Sequence, residues 1–150
     1  MPVGLGAEQR GLSNAEVLDM VQSTDCGRAV SRSRIEGQLD AVLSGGVGYT
    51  LTEEFAMDKS LDARVLNANL YDYKMPTALD TVNKLQNGII LEYPDETGPF
   101  GARGMGEATL SASAPAILNA VYNAIGIRFD KTPLTPDRVL EALSERRKAQ

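Results

Sequence analysis

Residues 98–126 read GPFGARGMGEATLSASAPAILNAVYNAIG and join a glycine-rich loop to a segment of helical pattern. Glycines fill four of the first nine positions. Because glycine loses the most backbone entropy on folding, such a cluster indicates a special loop geometry or a closely approaching ligand. Beyond the loop, helical spacing of apolar residues predicts a helix that Ser111 or Ser113 caps and Gly126 ends. The stretch therefore predicts a loop that carries one acid, Glu107, toward a helix start.

A second glycine cluster lies upstream of this stretch. Apolar residues at helical spacing predict a helix over residues 31–44, with Ser31 or Ser33 as its N-cap. The run Gly45-Gly46-x-Gly48 is predicted to stop or sharply modify that helix. It indicates either a helix end packed closely on a neighbour or a ligand loop. It is not a phosphate-binding P-loop, since the Gly-Lys-Ser/Thr ending is absent.

Strand patterns occur on both sides of the helix at 31–44. Residues 16–24 and 89–93 have β-prone or alternating sequences and are predicted as strands. Tyr71 and Tyr73 have strand spacing, so both are expected on one side of a sheet. A final helix is predicted to begin at Thr135-Pro136-Asp137, with Thr as cap, Pro in the first turn and Asp favoured by the helix dipole. Together these elements predict an α+β fold.

Composition narrows the possible functions. The 150 residues favour one domain, and the net charge of -5 argues against nucleic acid as a partner. No apolar run approaches the roughly 18 residues of a membrane span. A lone Cys26 cannot form an internal disulfide, which favours the cytoplasm. The absence of His excludes Ser-His-Asp and Cys-His catalysis, so chemistry must rest on carboxylates, Lys, Tyr, Cys or a cofactor.

Several segments, in the same order along the chain, resemble the molybdenum-binding large subunit of the xanthine dehydrogenase/aldehyde oxidase family. The loop at 98–107 resembles the family's Gly-Ala-Lys/Arg-Gly-Val/Ile-Gly-Glu signature and is the most specific part of the match. The resemblance extends from about residue 16 to about residue 145. The other matching segments are Asp25–Val30, Gly37-Gln38 with Gly46–Glu54, Asn69–Thr77 and Pro133–Leu140.

This resemblance implies part of a molybdenum-cofactor-binding domain, with a short mixed sheet and packed helices. Residues 16–150 would form the C-terminal molybdopterin-binding segment, after an irregular extension at 1–15. Glu107 is implied as the general base in the hydroxylation of an aldehyde or N-heterocycle. No side chain of this chain is implied as a metal ligand, because the dithiolene of the pterin holds the molybdenum. The residues implied to contact the molybdenum–pterin cofactor are Gln38, Gly104, Met105 and Gly106.

The implied partners are the remainder of a molybdenum subunit and iron–sulfur and flavin partners, and the chain alone is expected to bind no cofactor. Self-association is the alternative, with an exposed apolar face expected on the helix that carries Ile117, Leu118, Val121 and Ile125. Ser31-Arg32 stands where the family has Asn-Pro, and Gly45 where many members have Gln. These departures favour a second hypothesis, a non-catalytic domain used only for association. On pattern alone, Glu107 could also be a helix cap.

Overall fold

The computed structural model describes residues 17, 19–60, 62–77, 80 and 87–149, so the predicted extension at 1–15 lies outside the described residues. The described part combines helices with short strands, which confirms the α+β class. The helices and strands follow in the order β1 (Val21–Asp25), α1 (Arg32–Leu51), β2 (Met57–Asp58), β3 (Arg64–Val65), β4 (Asn87–Leu91), α2 (Ser113–Ile125) and α3 (Pro136–Lys148).

The strands form two separate two-stranded sheets in the described residues. β1 pairs in parallel with β4, with Val21 opposite Asn87 and Asp25 opposite Leu91. β2 and β3 form a short antiparallel hairpin. Parallel and antiparallel pairings thus both occur, but in different sheets. Because β1 and β4 are parallel, Asp25 and Leu91 bring the two carboxyl ends together, and the chain leaves both strands on the same side.

Helix α1 does not stop at the second glycine cluster, so that prediction was wrong. The helix continues to Leu51 because Val47, Thr50 and Leu51 bury their side chains in its last turns, and tertiary packing outweighs the low helix propensity of glycine. The close packing that was also expected is confirmed at Gly46. A Cβ atom built there would lie 2.2 Å from the Cβ of Ser113 on α2.

Two apolar clusters hold these elements together. The larger cluster joins the residues before β1 to α1, α2 and the segment before α3. The face of α2 that was expected to be exposed belongs to this cluster: Ile117 and Val121 are buried, and Leu118 and Ile125 pack against them. That expectation was therefore wrong. The smaller cluster consists of Cys26, Ile35 and Leu39, with Ala29, Ile90 and Met105 packed against it.

The segment with the two tyrosines is a turn, so the prediction of a shared sheet face was wrong. Asn69 accepts hydrogen bonds from the backbone N–H groups of Tyr71 and Asp72 at 2.9 and 3.0 Å, which fixes a side-chain-capped turn instead of a strand. The Tyr73 hydroxyl donates to Glu53 Oε2 at 2.6 Å, and this hydrogen bond raises the pKa of Tyr73.

The helix ends agree with most of the sequence expectations. Gly126 ends α2 with a left-handed φ of 67°, and Pro136 and Asp137 open α3 as predicted. The N-cap of α2 is Ala112, not Ser111 or Ser113, and Ser113 is already the first helical residue. Among the residues described, no helix combines the length and the apolar character that crossing a membrane requires.

Candidate functional site

The glycine-rich loop begins with a tight turn at its N-terminal half. Gly101 donates its N–H to the Gly98 carbonyl at 3.0 Å, and Ala102 donates to that of Pro99 at 3.1 Å. Phe100 and Gly101 have positive φ angles of 55° and 79°. A Cβ at Gly98 would lie 2.1 Å from the Ala102 carbonyl oxygen. The first two glycines of the loop are therefore required by the turn itself.

Backbone hydrogen bonds attach this turn to the carboxyl ends of β1 and β4. Arg103 donates its N–H to the Cys26 carbonyl at 2.9 Å, and the Gly101 carbonyl accepts from Arg28 at 2.7 Å and from Asp95 at 3.0 Å. Gly27 bridges to Ala102, and a Cβ at Gly27 would lie 2.4 Å from the Gly101 oxygen. These hydrogen bonds hold the N-terminal half of the loop at the end of the parallel sheet.

At this end of the sheet, the guanidinium of Arg103 pairs with two carboxylates. Asp25 Oδ1 accepts the backbone N–H groups of Gly27 and Tyr93 at 3.0 and 3.1 Å, while its Oδ2 pairs with Arg103 Nη1. Asp95 Oδ2 pairs with Arg103 Nε at 3.2 Å. The pKa of Asp95 falls from 3.8 to about 2, chiefly because the Thr97 hydroxyl donates to it. Backbone N–H donors, with Tyr93 first, lower the pKa of Asp25.

The C-terminal half of the loop has a different character. Met105 packs against the smaller apolar cluster, whereas Gly104 and Gly106 are exposed. A Cβ built at either glycine would meet nothing within 4 Å. The backbone N–H groups of residues 104–109 donate to no acceptor among the described residues. The backbone of these three predicted contact residues therefore offers donors that no described residue accepts, and its two glycines are uncrowded.

Glu107 follows this open backbone directly. Its carbonyl accepts the Leu110 N–H at 3.0 Å and starts the 3-10 turn Leu110–Ala112, which leads into α2. Its carboxylate is exposed and makes no hydrogen bond or ion pair with any described residue. Since α2 begins only at Ser113 and its N-cap is Ala112, the alternative of Glu107 as a helix cap is wrong.

A buried glutamine fixes the backbone just after Glu107. Gln22 Nε2 donates to the Thr109 carbonyl at 2.6 Å, and both residues are buried. Gln22 Oε1 and Ser113 Oγ are buried and have no partner among the described residues. Sequence reasoning missed the roles of Gln22 and Arg103. The available signals were a glutamine among the apolar residues of the strand predicted at 16–24 and an arginine inside the glycine-rich loop.

Gln38, the fourth predicted cofactor contact, is not hydrogen-bonded to the glycine-rich loop. It is exposed on α1 and no hydrogen bond joins it to the loop. Its neighbours Ile35 and Leu39 do approach the loop, because they form the cluster against which Met105 packs. The structure therefore brings Gly104, Met105 and Gly106 together with Glu107 and connects Gln38 only through its helix.

Known proteins of one family are similar to this chain. Residues 11–82 match the model of a molybdopterin cofactor-binding domain. The aldehyde oxidoreductase of Megalodesulfovibrio gigas is 34% identical over 125 residues, which are 83% of this chain and 13% of that protein. A putative xanthine dehydrogenase molybdenum-binding subunit of Escherichia coli is 35% identical over 117 residues, which are 78% of this chain and 15% of that protein.

The chain belongs to the molybdenum hydroxylase family. The structure of quinoline 2-oxidoreductase from Pseudomonas putida 86 agrees with this membership, with a TM-score of 0.78 and 28% identity over 88% of this chain and 17% of that chain. The chain spans only about a seventh of the length of the two relatives described above. The family's molybdenum-cofactor-binding fold is present over most of it.

The open part of the loop fits one wall of a molybdenum–pterin site. Among the described residues, no group of three or more His, Cys, Asp or Glu side chains could hold a metal ion. The loop offers other groups instead: unpaired N–H donors at 104–109, two uncrowded glycines and the partnerless carboxylate of Glu107. Such groups suit a bulky, polar, oxygen-rich cofactor that carries its own metal ligands.

Proposed function

We propose that this chain supplies the general-base wall of the cofactor site in a hydroxylase that acts on an aldehyde or an N-heterocycle. Glu107 is the base. The observation that carries this proposal is the Glu107 carboxylate, which is exposed and has no partner among the described residues, although the chain is attached at Arg103 before it and at Thr109 after it. The backbone N–H groups beside it in the sequence also donate to no described residue, so these donors and the carboxylate are together accessible to a bound ligand.

Different residues of the loop bind the cofactor and accept the proton. When bound, the molybdenum–pterin cofactor supplies the redox chemistry. Gly104 and Gly106 leave room for a bulky group to approach the backbone, and their N–H groups can donate to its oxygen atoms. The Glu107 carboxylate accepts a proton at Oε from a hydroxyl held within about 3 Å. Because no side chain of the described residues competes for it, the carboxylate is available for that proton.

We propose that other polypeptide completes the site. The chain spans 13% of the length of one relative and 15% of another, and a cofactor-sized ligand needs contacts on more than one side. The remainder of a molybdenum subunit would supply them, and iron–sulfur and flavin partners would remove the electrons. Exposed apolar side chains on the β2–β3 hairpin and its flanks offer a surface for that remainder: Tyr49, Phe55, Met57, Leu66, Leu70, Tyr71 and Met75. That the chain alone binds no cofactor stays a prediction.

The second candidate function is a non-catalytic domain used for association. The same exposed apolar surface favours it, and so does Gly45, which lies half-buried inside α1 where many members have a glutamine. In this case the surface around the hairpin would bind a second copy of the chain and Glu107 would have no chemical role. The two functions differ in what a substitution at Glu107 does.

The test is Glu107→Gln in the enzyme assembled with its remaining polypeptide. The amide keeps the shape of the side chain but cannot accept the proton, so we expect kcat to fall on the order of 10²–10⁴-fold. Melting temperature and molybdenum content should stay unchanged, because the carboxylate contacts no described residue. Glu96→Gln is the matched control, since Glu96 is also exposed and precedes the same loop.

Measuring kcat, molybdenum content and melting temperature on one preparation separates the two functions. A metal-loaded Gln variant with near-normal turnover would refute the base assignment and leave the association function. An equal loss of turnover in Glu96→Gln would show that the effect comes from charge near the loop and would also contradict a specific role for Glu107.

A further inference from the structure

We propose that Arg103 is a positioning residue that fixes the direction of the Glu107 loop by joining the ends of β1 and β4. Asp25 is the last residue of β1, and Asp95 follows the end of β4. The guanidinium of Arg103 contacts both carboxylates, through Nη1 to Asp25 and through Nε to Asp95 at 3.2 Å. The inference rests on the proposed function only in giving Glu107 its role as base.

Both the backbone and the side chain of Arg103 are attached to the sheet. Its N–H donates to the Cys26 carbonyl at 2.9 Å, directly after β1. Only three residues, Gly104, Met105 and Gly106, separate this attachment from Glu107. The positions of the two glycines are uncrowded, because a Cβ added at either would meet nothing within 4 Å. The direction in which the loop leaves Arg103 therefore determines where Glu107 lies.

The loop has two further attachments, which define what Arg103 adds. Met105 packs against the cluster of Cys26, Ile35 and Leu39, and Gln22 holds the Thr109 carbonyl at 2.6 Å. An apolar contact is non-directional, so Met105 can hold the loop near the sheet without fixing its rotation. A planar guanidinium bound to two carboxylates is directional, because its donors have a fixed geometry.

An anion-binding role for Arg103 is disfavoured by its surroundings. Two carboxylates face one guanidinium, so the local charge of the three groups is negative. Nε and Nη1 are already used as donors. The carboxylates themselves are held by other donors: Gly27 and Tyr93 for Asp25, and Thr97 and Gly98 for Asp95. Arg103 therefore lies between two fixed acceptors and is oriented by them.

The experiment uses the full 150-residue chain and backbone NMR relaxation. In Arg103→Gln, we expect the order parameters of the Gly104, Gly106 and Glu107 N–H groups to fall from about 0.85 to below about 0.6, with α1 and α2 unchanged. Arg103→Lys keeps the charge but loses the planar set of guanidinium donors, so its loop should be more ordered than in Arg103→Gln but less ordered than in wild type. Arg28→Gln is the matched control, because Arg28 is exposed beside the same turn and its side chain has no partner among the described residues.

Unchanged loop order in Arg103→Gln would overturn the proposal, as would an equal loss of order in Arg28→Gln. A loss that spreads through α1 and α2 would also overturn it, since Arg103 would then stabilise the fold in general. If Arg103→Gln does not fold, Asp95→Asn releases one arm of the contact and should loosen the same three N–H groups to a smaller extent.

The assembled enzyme gives the second readout. Arg103→Gln should lower kcat on the order of 10²-fold with little change in KM or molybdenum content, because a small misplacement of a reacting group acts on the chemical step. Unchanged kcat in a variant with a loosened loop would overturn the positioning role. Failure of the proposed function is distinguished by Glu107→Gln, which leaves the Arg103 contacts intact: normal turnover there removes the base role whatever the relaxation data show.

Discussion

Gly46 and Gly106 both lack a side chain, but a methyl group added at these positions would meet opposite surroundings. At Gly46, inside α1, it would lie 2.2 Å from the Cβ of Ser113 on α2. At Gly106, in the loop before α2, it would meet nothing within 4 Å. The first glycine lets two helices touch, and the second leaves space that no described residue fills. A glycine required by packing and a glycine whose Cβ position is open look the same in the sequence.

The comparison predicts a large loss of stability at the packed position. Gly46→Ala should lower the free energy of unfolding by about 1–3 kcal/mol, because a Cβ that overlaps a neighbouring helix forces backbone shifts. The gain in helix propensity, up to about 1 kcal/mol, does not offset this overlap. Gly37→Ala is the control in the same helix: Gly37 is exposed and a Cβ there meets nothing, so this variant should be more stable than wild type.

Chemical denaturation of the two variants checks the prediction. A Gly46→Ala chain as stable as wild type would show that α1 and α2 separate easily. The contrast between the packed Gly46 and the open Gly106 would then disappear. The double variant Gly46→Ala/Ser113→Gly sharpens the test, since removing the Cβ of Ser113 should recover part of the loss if the overlap is its cause.

The contrast also explains which parts of the fold the sequence predicted. β4, α2 and α3 were found because each has a local signal: a β-prone run, apolar spacing closed by Gly126, and the Thr135-Pro136-Asp137 start. The last turns of α1 were missed because their stability comes from Val47 and Leu51 packing on a partner far along the chain. The turn with the two tyrosines was missed because the side chain of Asn69 decides it.

The residues of the candidate site divide in the same way between local and long-range signals. The loop residues at 104–107 follow from the glycine pattern and the family resemblance, since they are contiguous. Gln22 and Arg103 were missed because their contacts join the loop region to β1, over 87 residues between Gln22 and Thr109 and 78 residues between Arg103 and Asp25, although Asp95, the second partner of Arg103, lies only 8 residues away. Contacts over such separations depend on the parallel pairing of β1 with β4 and on the path between β4 and α2, and no local pattern specifies them.

The two glycine clusters should respond differently to pH. Gly46 is fixed by packing, whereas the turn at 98–101 is fixed by Asp95 and Arg103. The pKa of folded Asp95, about 2, lies below the ordinary 3.8, so its ionised form stabilises the fold. That contribution is fully present above the ordinary pKa and is lost as the pH falls from about 4 toward about 2.

We therefore expect Asp95→Asn to melt at a lower temperature than wild type at about pH 5, and the difference to shrink toward about pH 2. The effect should be modest because the ion pair is partly exposed to solvent. Thermal melts of both chains across this range test it. A difference that stays constant down to about pH 2 would show that protonation of Asp95 does not matter to the fold, and Gly37→Ala provides a substitution whose effect should not vary with pH.

The smallest stability effect is expected at Gly106. Gly106 does not have a positive φ, and its Cβ position is open, so Gly106→Ala should change the free energy of unfolding of the chain by no more than about 0.5 kcal/mol. If the proposed site is right, the same variant should lose cofactor content in the assembled enzyme, because the added methyl group would occupy the open space beside Glu107. Measuring both quantities distinguishes a ligand space from an idle loop. Normal cofactor content would mean that nothing approaches Gly106. A loss of stability in the chain alone, comparable to that of Gly46→Ala, would mean instead that the loop packs against protein, such as a second copy of the chain. Gly106, like Gly46, would then be required by packing.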